Sequence, residues 1–84
     1  MNDNRPVHLA GWLSETPLGF CLWFRDGGGV LLSNLNVEDR LVDQPVLVSG
    51  AWNDSRVKAE HIEFDQNSVI LWRSGPPRYQ DGGY

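Results

Sequence analysis

The 84-residue chain is short of cysteine, of positive charge and of unbroken apolar sequence, and each shortage removes a class of protein. The single cysteine, Cys21, cannot make an internal disulfide. With His8 and His61 as the only histidines, the clustered soft ligands of a structural zinc site are also missing. A chain of this size therefore relies on its core alone, which buries only about 60% of the surface exposed on unfolding. Lys and Arg number 7 against 11 Asp and Glu, a formal net charge of -4. That is the reverse of the basic footprint of a protein that holds nucleic acid through charge alone. No stretch approaches the roughly 18 apolar residues of a membrane-spanning helix, and residues 1–6 carry no apolar segment of the secretory type. The expectation is a soluble, cytoplasmic protein without metal or cofactor.

What is present suffices for a folded domain: 40% of residues are hydrophobic and four are tryptophan. One domain is expected over residues 6–73, with a disordered N-terminus at residues 1–5 and a flexible Gly/Pro-rich tail at residues 74–84. Val7, Leu9, Gly11 and Leu13 alternate with His8, Ala10 and Trp12, the period of a strand with one buried face. Pro17 and Gly19 then mark a reversal. In the second strand Phe20, Leu22 and Phe24 face inward and Cys21, Trp23 and Arg25 outward, before the turn Asp26-Gly27-Gly28-Gly29. Residues 30–35 return as a third strand.

Residues 36–44 read as a short helix, with Asn36 as cap, Glu38 and Asp39 at its positive end, and Val37, Leu41 and Val42 as its apolar side. Val46, Val48, Gly50 and Trp52 share the inward phase of a fourth strand. Val57 and Ala59 open a fifth, but Ile62 and Phe64 follow out of phase. That slip around Glu60 and His61 predicts a β-bulge. Residues 69–72 are a short apolar run expected to add a sixth strand or to cover an open seam. The order describes an all-β, five- to six-stranded Greek-key barrel with a short helical connection between strands three and four.

Val46-Leu47-Val48-Ser49-Gly50-Ala51-Trp52, a turn, and Val57-Lys58-Ala59-Glu60-His61-Ile62 resemble the fourth and fifth strands of OB-fold (oligonucleotide/oligosaccharide-binding) domains. Val7-His8-Leu9-Ala10-Gly11-Trp12-Leu13 is similar to their first strand, with glycine where the strand curves. The resemblance covers about residues 6–65 and implies a binding face around strands two and three. It brings no catalytic motif with it. The acidic balance and the short turn at residues 53–56 depart from the nucleic-acid-binding members.

Trp23 and Arg25, outward on strand two, are the expected ligand-binding residues, with Trp12 extending the aromatic surface and Arg56 and Lys58 adding charge. An exposed indole stacks a base, and a guanidinium beside it pairs with phosphate or stacks in turn. The competing reading packs Trp12 and Trp23 beneath residues 69–72, the helix or a partner. Trp52 is expected at the core or rim. His8 and His61 stand near no nucleophile in a motif and read as solvated strand residues rather than acid-base catalysts. The chain is thus expected to be a non-enzymatic binding module for single-stranded DNA or RNA. The alternative is a protein-interaction or assembly subunit, a homodimer included, that uses the same surface, an exposed strand edge or Tyr79 and Tyr84.

Overall fold

The structure is a computed structural model that describes residues 5–73. The flexible tail expected at residues 74–84, and the disordered N-terminus apart from Arg5, lie outside the described residues. Five strands form one antiparallel sheet in the order β3-β2-β1-β4-β5: β1 (Pro6–Thr16), β2 (Gly19–Trp23), β3 (Gly29–Leu31), β4 (Gln44–Asn53) and β5 (Arg56–Phe64). The chain is all-β, and its helical turns are three short 3-10 segments, Asp39–Leu41, Gln66–Ser68 and Ile70–Trp72.

The alternation of apolar residues builds the core from the inner face of this sheet. Leu13 and Leu22 stand opposite each other across β1 and β2, joined by Val46 and Val48 of β4, Val57 and Ala59 of β5, and Leu32 and Leu41 from the loops. Each buried Leu or Val contributes roughly 1.5–3 kcal/mol of transfer free energy. Phe20, Phe24 and Trp52 pack against this cluster as half-buried neighbours, in the inward phase expected of them.

The turns follow from their side chains. Thr16 Oγ1 donates to the Gly19 carbonyl at 2.7 Å and accepts from Leu18 N–H at 3.1 Å, while Gly19 takes a φ of 120° that disfavours other residues. In the next turn Asp26 Oδ1 accepts from Gly28 N–H at 3.0 Å. The predicted bulge is present: Ser49 pairs with His61 and Gly50 with Ala59, which leaves Glu60 as the extra residue of β5. At that point the β5 backbone comes so close to Gly50 that a Cβ would overlap the Lys58 carbonyl oxygen.

Five expectations need correction. Strand two ends at Trp23, so Arg25 lies not on the strand but in the turn that follows, where Phe24 N–H donates to the Gly28 carbonyl at 2.7 Å. The sheet is not closed into a barrel: its edges meet at one parallel bridge, Leu32 to Val57, with Ser33 N–H donating to the Val57 carbonyl at 2.8 Å. Asn34 secures this seam, accepting from Ala59 N–H at 2.8 Å and donating to the Ala59 carbonyl at 2.9 Å. Strand three is shorter than residues 30–35, because beyond Leu31 the chain leaves β2 for this contact. The helix over residues 36–44 is a single 3-10 turn in which Glu38, not Asn36, precedes the first helical residue, and only Leu41 is fully buried. One anchoring leucine does not sustain a longer amphipathic helix. Residues 69–72 form no sixth strand; they turn through 3-10 geometry and bury Trp72.

Candidate functional site on the outer face of strands β1 and β2

The outward residues of β1 and β2 meet because the two strands pair with Trp12 directly opposite Trp23. Both indoles are half-buried on the face away from the core. Trp23 lines a surface cleft of about 450 Å³ together with Pro17, Leu18, Cys21, Val30 and Leu31. The cleft is mainly apolar, lined by the β1–β2 turn and by residues of β2 and β3. Cys21 points to the same face as Trp23 yet retains only 6% of its exposure.

Trp12 meets a different neighbour. The Trp72 ring lies 5.8 Å from it between centroids, tilted by 46°, and Trp72 is 5% exposed. The Arg25 guanidinium sits over the Trp72 ring at 5.7 Å from its centroid. Trp72 therefore contacts both of these expected site residues. Trp12 Nε1 is buried and has no hydrogen-bond partner among the described residues.

Arg56 belongs to the same region. Its guanidinium nitrogen lies 3.9 Å from where a Cβ on Gly19 would stand, beside the turn that rims the cleft. Lys58 lies two residues further along β5, paired with Ala51, and shares a shallow surface pocket with Trp52, Asn53 and Glu60. Pairing thus brings Trp12 and Trp23 together, Arg25 follows β2, and Arg56 lies beside Gly19, with Lys58 next to it in the outward phase of β5.

The histidines form a row of their own on β1, β4 and β5. His8 Nδ1 lies 3.3 Å from Ser49 Oγ, and His61 Nε2 lies 3.7 Å from Glu63 Oε1, with both histidines exposed. No group of three or more His, Cys, Asp or Glu side chains among the described residues is placed to hold a metal ion. Trp72 joins this face through the apolar run at residues 69–72, beneath which the competing reading packs Trp12 and Trp23; the structure sets Trp72 against Trp12.

Comparison with protein-family models, with curated proteins and with solved structures gives no match to the chain. No helix among the described residues is long and apolar enough to cross a membrane.

Proposed function

We propose that the chain is an OB-fold-like, partly open β-barrel that binds single-stranded nucleic acid, without catalysis, along the outer face of β2. The observation that carries this reading is the line of groups on that face. Arg56 stands beside Gly19 at one end, Trp23 lies in the apolar cleft at the middle, and Arg25 stands at the other end. Gly19 to Trp23 spans about 13 Å of extended chain, and Arg25 follows in the turn beyond it. Stacking on an indole is sequence-tolerant, and two terminal guanidinium groups suit the phosphates on either side. The strand order and the parallel contact of β3 with β5 support the barrel type, which is known to remain partly open.

A net charge of -4 limits the electrostatic part of such binding, so stacking must carry most of it. Amide chemical-shift mapping with a short oligothymidylate tests the reading. Perturbations concentrated on β2, the β1–β2 turn and Arg25 are expected; perturbations scattered over the sheet, or none, contradict it. The protein-interaction reading is favoured by the apolar lining of the cleft, which equally suits an apolar side chain from a partner.

A further inference from the structure

We propose that residues 76–81, from the segment after Arg73, bind across the cleft beside Trp23 in the ligand-free protein, with Pro76 and Pro77 against the indole and Asp81 beside Arg56. The inference concerns the cleft described above and does not depend on nucleic acid being its ligand. Ser74-Gly75-Pro76-Pro77-Arg78-Tyr79-Gln80-Asp81 lies outside the described residues. The described chain ends beside the cleft, and the cleft presents what such a segment binds.

Trp72 fixes the starting point. Its ring lies 5.8 Å from that of Trp12, with the Arg25 guanidinium over it, and Trp12 stands directly opposite Trp23 on the neighbouring strand, about 5 Å away between backbones. Arg73, Ser74 and Gly75 reach up to about 10 Å when extended, enough to bring Pro76 and Pro77 over the Trp23 indole. Two spacings then agree. Pro77 to Asp81 covers about 12 Å in the polyproline II conformation that adjacent prolines favour, and Trp23 back to Gly19 covers about 13 Å of β2. Arg56 lies beside Gly19, so a segment running antiparallel to β2 delivers the Asp81 carboxylate to that guanidinium.

The cleft suits this occupant. Its volume of about 450 Å³ is that of a ligand-binding site, and it sets the half-buried Trp23 beside Val30, Leu31 and a Leu18 that is 70% exposed. A proline pair packs on such a wall without bringing an N–H that would be left unpaired there. Its preset backbone loses little conformational entropy on binding. Arg56 is in no ion pair among the described residues, so Asp81 meets an uncompensated positive charge. The short linker holds the segment at an effective concentration in the mM range, so a contact too weak to retain a separate peptide suffices within the chain. Any ligand of the cleft then binds with an affinity lowered by the fraction of molecules whose cleft is open.

The test is nuclear magnetic resonance of the full chain without oligonucleotide. Nuclear Overhauser contacts between the Trp23 indole protons and the ring protons of Pro76 and Pro77 are expected, with the same relative intensity in dilute and in concentrated samples. Replacing both prolines, Pro76→Gly with Pro77→Gly, is expected to abolish these contacts and to shift the amide resonances of Cys21, Trp23, Val30 and Leu31, while unmoved amides of Leu13 and Val48 show the core intact. Asp81→Asn is expected to shift the Arg56 Nε–H resonance. Absence of the contacts in wild type overturns the proposal, as do cleft resonances equal in wild type and the double variant, or an Arg56 resonance indifferent to Asp81→Asn. Contacts that fade on dilution overturn it too, since they assign the segment to the cleft of a second copy. With no nucleic acid present, failure here leaves the nucleic-acid reading standing, and failure of oligothymidylate binding leaves this inference standing.

Discussion

Gly50→Ala isolates the contact on which the β4–β5 bulge depends. The added methyl would overlap the Lys58 carbonyl oxygen and lie 2.9 Å from Ala59 Cα and 3.0 Å from the Lys58 carbonyl carbon. All three atoms belong to backbone, so no side chain can rotate away. Overpacking of this kind costs about 1–3 kcal/mol, and a clash with main chain belongs at the upper end. A loss of about 3 kcal/mol removes a large part of the stability of so small a domain and lowers Tm by roughly 10–20 °C. Gly27→Ala is the control. Gly27 has a φ of 101° but nothing within 4 Å of an added Cβ, so its penalty is backbone strain alone, about 1–2 kcal/mol. Urea unfolding followed by far-UV circular dichroism compares them. A G50A midpoint equal to that of wild type, or a smaller loss than G27A shows, refutes the claim that close approach at the bulge selects glycine.

Asn34→Ala removes both hydrogen bonds to Ala59 and should cost about 1–3 kcal/mol; faster amide exchange at Ser33 and Ala59 in the variant checks that the loss is at the seam. Trp23→Ala should weaken oligothymidylate binding by about 1–3 kcal/mol with the fold intact, as read by anisotropy; an unchanged affinity in a folded variant speaks against stacking in the cleft. Arg25→Gln and Arg56→Gln should each lower the slope of log affinity against log salt by about 0.7, the increment for one phosphate on a single strand.

The parts of the fold legible from the residues are those set by local periodicity. The period-2 alternation from Val7 to Leu13 and the phase slip at Glu60 both survive in the pairing, because a strand with one buried face has no freedom to slip its register. The connection at residues 36–44 misled because its capping and charge pattern suits a helix, whereas its length and the single buried Leu41 allow only one 3-10 turn. Residues 69–72 were equally ambiguous: a run of four apolar residues carries no period long enough to separate a strand from a turn. The outward phase of Trp12 and Trp23 was readable along β1 and β2, whereas Arg25 lies beyond the end of β2 in the turn. The contact of Trp72 with Trp12 was legible only in the reading that packs Trp12 beneath residues 69–72, and its contact with Arg25 is long-range, encoded by no local pattern. The approach of Arg56 to Gly19 likewise depends on the contact between the sheet edges rather than on closeness in sequence.

Intrinsic tryptophan fluorescence during titration with single-stranded oligothymidylate, at low and at moderate salt, tests the central claim most directly. The account predicts saturable quenching that weakens as salt is added and is reduced in the Trp23→Ala variant. Unaltered fluorescence at low salt, where attraction to phosphate is strongest, contradicts it and turns the apolar cleft beside Trp23 toward a protein partner.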